Sequence, residues 1–537
     1  MKDIPVTVVG GGPTGLLAAN LLARYHIKTQ VLEKKKEPSF QRRAVLIDDE
    51  GLRILQNIDL LDQSSDSIHT GVPLHILSST FGTLYRIVPA ANEKNFGHYR
   101  LNTFLEPVLE SNMMANLKKY PHVHVIPDAE LIAFKEQEDG LLVQYKNQNG
   151  EIHEFKTQIL LGCDGEHSTV RKLIGEKFNT NNYCIKWLTV ETEHDFLPTD
   201  YIEFHCNPER PAICYPLPMG HRRWEFLVLP GEDEASLLQT ERIHQLLNPW
   251  IGDRTPDISH KQIYNVYAKT VDHTCKGRVV LLGNAARMIP TFAGQGVISG
   301  FKDVLNVIWK VVLLIKGKAG KDLLNSYDNE RGHLIRHEIQ MARMNLEMLT
   351  YSSNVMALLR DSLIKYFNNS ALVNKWLFDK ALKPTPKIPL GKNSIVVSTS
   401  SNDQDYVGQL FIQPSIQLVS GERKLLDDCM GPYFTLLGWN LNPLNLLNQD
   451  SIIACQAMEM SYIQIVSIDK LLNKSPTPMD DARLVRVIDV YGDLEKYFKQ
   501  IKGIDFVLLR PDRFVGGMAS SKQLNKMIRS FQKRLVF

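Results

Sequence analysis

An α/β fold is predicted by three stretches of the 537-residue sequence, in each of which a short apolar run breaks at glycine and gives way to a helical pattern. They are VTVVGGGPTGLLAANLL (6–22), ILLGCDGEHSTVRKLIG (159–175) and GRVVLLGNAARMIPTFAGQGVISGFKDVLNVIWKV (277–311). Strand, turn and helix in that order are the repeating unit of a Rossmann-like parallel sheet covered by helices.

The first stretch carries most of the information. Residues 6–9 are continuously apolar, as suits a strand buried on both faces, and residues 14–24 place apolar side chains at helical spacing. Between them Gly10, Gly12 and Gly15 form G-x-G-x-x-G, with Pro13 and Thr14 inside the motif. Glycine lets the backbone turn tightly and approach a pyrophosphate, whose charge meets the helix N-terminus. A second strand-like run, TQVLE, ends at Glu33, 18 residues past Gly15, followed by Lys34. A carboxylate there accepts from a ribose hydroxyl pair and repels a 2′-phosphate. The alternative is a strand–turn–helix without a ligand; the agreement of strand, glycines, helix and terminal acid favours a dinucleotide.

The totals set limits. The length suits two to four domains, and 44% hydrophobic with 23% charged residues is an ordinary globular composition. A net charge of +3 is too mild to imply a nucleic-acid surface. Seven cysteines, an odd number with no C-x-x-C pair, point to free thiols and a cytoplasmic location. The apolar segment 304–317 falls short of the roughly 20 residues that cross a bilayer, and Lys310 interrupts it. It reads as a buried helix, with no membrane insertion. Glycines and Pro13 break what might pass for a signal peptide after Lys2. No H-E-x-x-H and no Cys/His quartet suggests a metal.

In their order and separation the three stretches resemble the FAD-dependent aromatic hydroxylases of the para-hydroxybenzoate hydroxylase type. RAVLIDDEGLRILQNIDLLD (43–62), CNPERPAICYPLPMGHRRWEFLVLPGE (206–232), GQLFIQPSI (408–416) and LLRPDRFVGG (508–517) are similar to one branch, the 3-(3-hydroxyphenyl)propionate hydroxylases. The resemblance spans nearly the whole chain. It implies FAD as bound cofactor, NADPH or NADH as co-substrate, O2, and a small phenolic substrate attacked by a flavin C4a-hydroperoxide. The cofactor performs the hard chemistry, so the protein supplies position, electrostatics and water exclusion, and no catalytic side chain is assigned. By the same resemblance the first glycines hold the ADP half, Asp164 lies near the flavin, and Gly283, Asn284, Pro290, Gly294, Gln295, Gly296 and Val297 hold the ribityl chain and ring. Arg43 takes an Arg-Ala position that contacts FAD. The alternatives are a solvated basic pair with Arg42, a strand-end turn at Asp164, and a plain loop before a helix at Pro290.

Some positions depart from the family. Gly-Asp-Ala-Ala-His is replaced by Gly283-Asn284-Ala285-Ala286-Arg287, an Asn by Ile298, and a Gln by Glu106. The Asn284 carbonyl can still accept from a ribityl hydroxyl. Ile298 cannot replace an amide contact to the flavin ring, and one such lost bond costs about 1–3 kcal/mol. Arg287 brings a charge that faces either substrate and flavin or solvent. His205, Tyr215, Arg223 and Arg287 are the candidate substrate contacts. Arg222 and Trp224 share the presumed roof strands, where alternation turns about half the side chains away. The apolar helices at 304–316 and 355–365 are expected in the core.

The expected domains are a discontinuous FAD-binding part (1–180 and 271–385), an inserted β-sheet substrate domain (181–270), a Pro- and Ser-rich linker (386–407) and a C-terminal α/β domain (408–537). The resemblance implies a thioredoxin-like fold for the last. Its Cys429 and Cys455 lie far apart, so packing or subunit contact, including a homodimer, is preferred to a redox role. Two alternatives remain: a larger aromatic, polyketide or drug as substrate, and a degenerate homologue that serves as a binding protein.

Overall fold

The computed structural model describes residues 3–36, 44–89, 94, 96–290, 295–351, 353–368, 386–468 and 483–535. The three predicted strand–turn–helix units share one sheet. Asp3–Val9 pairs in parallel with Thr29–Leu32 on one side and Ile152–Gly162 on the other, and Ile152–Gly162 continues to Val279–Leu281. Helix α1 (Pro13–Arg24) buries Gly15 to Ala23 against this sheet. Asp48 caps α2 (Asp49–Gln56) by accepting from the Gly51 N–H at 2.8 Å. Helices α3 (Glu106–Leu117) and α4 (Thr169–Leu173) follow.

The second sheet has eight strands and is wider than the predicted insert. Asn179–Thr192, Ile202–His205, Ala212–Pro216, Arg222–Leu227 and Ile258–Thr270 are joined by Leu74–Ser78 and Gly82–Ile87 from the first segment, and by Arg287–Met288. Ile202–His205 pairs in parallel with Leu74–Ser78, a partner more than a hundred residues away that no local pattern announces. Helices α5 (Glu234–Leu237) and α6 (Thr240–Ile251) close one face of this roof over Leu188, Val190, Trp224 and Phe226. On the opposite face Trp187, Phe204, Ile213, Tyr215 and Val266 pack with Val45, Leu46 and Leu105 of the dinucleotide-type part.

Helix α7 (Gln295–Ile315) is buried as expected, and α8 (Ser326–Leu349) packs beside it. Helix α9 (Asn354–Phe367) is not in the core: Val355 is 68% and Tyr366 78% exposed, and Leu358, Leu359 and Leu363 also face solvent. Only its Ala357, Arg360 and Asp361 are buried; Asp361 accepts from the Ser78 hydroxyl and pairs with Arg360 at 2.7 Å. Apolar composition alone did not reveal which face is covered.

The C-terminal part is built on a seven-stranded sheet, with Thr435–Trp439, Ser461–Ser467 and Leu484–Asp489 parallel and Phe506–Leu509 antiparallel to the first of them. Cys429 and Cys455 are both free, and burial pushes each thiol up to about 11, which suits packing rather than redox exchange.

A buried ion network joins this part to α7 and α8. Glu330 accepts from Lys310 at 2.9 Å, from Arg510 at 2.7 and 2.8 Å, and from the Ile395 N–H at 2.8 Å, while Arg510 also pairs with Asp512 at 2.6 Å. Burial lowers Lys310 from 10.5 to about 8, with Glu330 opposing. Burial works to raise Glu330, but Arg510 and Lys310 outweigh it and hold the carboxyl below its usual range. Between pH 8 and 10.5 the folded Lys310 binds fewer protons than the unfolded one, so stability from this group rises with pH across that window. Lys310→Met is expected to remove this rise. The wild-type-minus-variant stability, from denaturation at fixed salt, then climbs by roughly 1–3 kcal/mol over the window; parallel pH profiles would contradict it.

Candidate functional site

The glycine turn is dictated by contacts that only hydrogen tolerates. Gly10 has φ +105°, and a Cβ there would sit 2.5 Å from the Cys163 carbonyl oxygen; a Cβ at Gly15 would sit 1.9 Å from the Gly10 oxygen. Gly12 differs, because a Cβ there would meet nothing within 4 Å. Gly12 is also the extended N-cap of α1, with no side-chain cap and Pro13 at the start of the helix, so the first-turn N–H groups lack a side-chain acceptor. Glu33 stands beside this open turn: its Oε2 accepts from the Gly11 N–H at 2.6 Å and its Oε1 from the Lys35 N–H at 2.9 Å. Lys34 is exposed.

The third stretch closes on the first through Thr14. A Cβ at Gly283 (φ +57°) would lie 2.7 Å from the Thr14 hydroxyl oxygen, and one at Gly300 2.6 Å from it. Two glycines therefore let α7 and the 283 turn sit directly against the start of α1. Gly300 was missed by the sequence reading; its only signal is a glycine one helical turn past Gly296. Asn284 follows Gly283 in a short 3-10 turn (Gly283–Ala285), half-buried, its amide making no hydrogen bond to a described residue. Pro290 is buried, and Gly296 and Val297 are half-buried at the start of α7. Arg43, Gly294 and the side chain of Gln295 lie outside the described residues.

Asp164 has a structural task. Its Oδ2 accepts from the Thr169 and Val170 N–H groups at 2.7 and 3.0 Å and its Oδ1 from the Ser168 hydroxyl at 2.5 Å, so it caps α4 from the end of Ile152–Gly162. Burial raises its carboxyl despite these bonds. Glu106 is buried in the first turn of α3, where a carboxylate suits the helix dipole, and its Oε2 accepts from the Ala44 N–H at 2.7 Å. Ile298 is buried among Phe301 and Val304 in the core. It packs the helix into the core and offers no polar side-chain atom.

Two substrate candidates are corrected. Arg287 is closed off from solvent: it is buried, donating to Asp303 at 3.0 Å and to the Tyr327 hydroxyl at 2.9 Å. Asp303 also accepts from Arg331 at 2.9 Å and from the Gly283 N–H at 3.1 Å, so the Arg287 charge is neutralised by α7 and steadies the 283 turn. His205 lies on the roof face closed by α6, its Nε2 2.8 Å from Glu203 and its ring against Trp250. Strand alternation turns it away from the face shared with Leu46.

Tyr215 and Arg223 are on that shared face, directly opposite each other in register. Arg223 donates to Glu191 at 3.1 Å and to Glu225 at 2.6 Å. Both carboxylates were missed, although the alternation in RRWEF places Glu225 beside Arg223. Arg222, one residue earlier, pairs with Asp195 at 2.6 Å, and Trp224 packs under α6.

An open glycine turn, an uncapped helix start, a carboxylate at the end of the second strand and an unpartnered amide on the converging third turn fit the pyrophosphate, ribose and ribityl groups of FAD. Comparison with known proteins agrees. Residues 3–394 match the FAD binding domain family and residues 408–534 the HcaD C-terminal domain. A 3-(3-hydroxy-phenyl)propionate/3-hydroxycinnamic acid hydroxylase of Burkholderia cenocepacia (strain HI2424) is 30% identical over 528 residues, covering 98% of this chain and 96% of that protein. One of the same description from Escherichia coli (strain SMS-3-5 / SECEC) is 31% identical over 529 residues, covering 98% and 94%. Among solved structures, the flavin-dependent monooxygenase PieE with FAD and substrate aligns with a TM-score of 0.82 at 17% identity, covering 99% of both chains. Aklavinone-11 hydroxylase with FAD and aklavinone aligns at 0.76 and 18%, covering 99% and 100%. The turns at Gly12 and Gly283 and the full-length matches together make this chain a member of the FAD-binding aromatic hydroxylase family.

Proposed function

We propose that this FAD-dependent enzyme hydroxylates the ring of a small phenolic acid of the hydroxyphenylpropionate kind, with NADPH or NADH and O2 as co-substrates. The observation that carries the reading is the convergence of the Gly12 and Gly283 turns through Thr14, beneath a sheet whose inner face carries the apolar cluster of Trp187, Phe204, Ile213 and Tyr215. FAD, reduced by the nicotinamide, would supply the activation of O2, one atom of which enters the ring while the other leaves as water. The N–H groups at the start of α1 and the bare Gly12 would meet the pyrophosphate, Glu33 the ribose, and Asn284 the ribityl chain. Trp187, Ile213, Tyr215 and Val266 would exclude water from the ring.

The unpartnered Asn284 amide and open Gly12 weigh against a degenerate binding protein. A homodimer formed over the apolar face of α9, and a cytoplasmic location suited to seven free thiols, complete the proposal. The test is a visible spectrum of the purified protein, then NADPH and NADH oxidation with and without 3-(3-hydroxyphenyl)propionate, followed by product analysis. A yellow protein whose nicotinamide oxidation rises with this acid and yields a dihydroxylated product is expected. A response only to larger aromatics would move the substrate to that class, and a protein that stays colourless with added FAD would overturn the reading.

A further inference from the structure

On the roof face that packs against the FAD-binding part, polar atoms are unevenly satisfied. Trp187, Thr189 and Glu191 alternate along Asn179–Thr192, facing Leu227, Glu225 and Arg223 on one neighbour and Tyr264, Gln262 and His260 on the other. Among the described residues of these three strands Arg223 is the one lysine or arginine on this face, and Glu191, Glu225 and Thr189 engage it at 3.1, 2.6 and 3.4 Å. Two carboxylates to one guanidinium leave the cluster unsuited to a carboxylate tail.

Trp187 presents the opposite case. It is 2% exposed, yet its indole Nε1–H has no acceptor among the described residues. A buried donor without a partner is rare, and its pairing with protein, water or ligand is the rule. Trp224 has an orphaned indole as well, but on the other face, sealed under α6 by Ile243 and Leu247. Trp187 instead shares an apolar cluster with Phe204, Ile213 and Tyr215 of the roof and Leu46 and Leu105 of the FAD-binding part.

We propose that Trp187 is a specificity-determining residue whose indole N–H donates to the ring hydroxyl of the aromatic substrate. The apolar neighbours receive the ring, and the acid side chain extends away from Glu191 and Glu225. A neutral donor suits a hydroxyl or phenolate oxygen and needs no counter-charge. This assignment rests on the hydroxylase reading above.

The experiment measures binding of 3-(3-hydroxyphenyl)propionate and of 3-phenylpropionate, which lacks the hydroxyl, to the FAD-loaded protein by perturbation of the flavin spectrum. In Trp187→Phe the hydroxylated acid is expected to bind about tenfold more weakly and the other acid within about twofold of wild type. Trp224→Phe should leave both affinities unchanged. Equal loss for both ligands, or loss for neither, overturns the assignment. A yellow wild type that binds neither acid overturns the substrate reading itself, and this assignment with it. If Trp187→Phe loses FAD, Trp187→His, which keeps a ring N–H, decides: retained preference for the hydroxylated acid supports the assignment and lost preference overturns it.

Discussion

Gly12→Val is expected to fold and to lose FAD. A Cβ at this position meets nothing within 4 Å, and Gly12 has φ −78° in the extended region, so the branch starts in open space and the backbone accepts it. The same space is the approach to the uncapped N–H groups of α1, where a pyrophosphate would lie. Excluding the phosphates from these groups should weaken FAD binding at least about a hundredfold, near 2.7 kcal/mol, with the melting temperature of the FAD-free protein unchanged. Gly15→Ala is the contrasting case: its Cβ would lie 1.9 Å from the Gly10 oxygen, so the fold itself should fail. Titration of FAD into Gly12→Val with wild-type affinity would remove the glycine turn from the site.

Glu330→Gln is expected to destabilise the protein by about 3–5 kcal/mol, because it leaves Lys310 and Arg510 buried without their shared counter-charge. The amide oxygen can still accept hydrogen bonds, but it cannot balance two cations. Asp512 remains for Arg510 at 2.6 Å; Lys310 keeps only the Asn306 side chain at 2.7 Å. Denaturant unfolding of FAD-loaded wild type and variant, followed by fluorescence, reads the loss. A difference under about 1 kcal/mol would place the network among ion pairs that contribute little.

What was legible in the sequence was local. The spacing of Gly10, Gly12 and Gly15 and the acid at Glu33 follow from one strand–turn–helix–strand unit, and the chain folds there as the spacing requires. What was not legible depends on partners distant in sequence. Tyr215 and His205 both sit on short apolar strands, and only the packing of α6, which carries Trp250 onto His205, decides which face each takes. Arg287 reads as a charge near the cofactor until Asp303 and Tyr327 are brought to it by α7 and α8. Glu191 and Glu225 gain meaning only when two strands align around Arg223. Strands 74–78 and 82–87, at one end of their sheet, precede the rest of it by about a hundred residues, and α9 carries an apolar sequence on an uncovered surface.

The contact of Thr14 with Gly283 and Gly300 sets one side chain against bare main chain, so the gap between the two turns is set by the bulk of the Thr14 side chain. The inner face of the overlying sheet is lined by side chains. Ligand preference can thus drift by ordinary substitutions in the upper layer while the lower one is inherited intact.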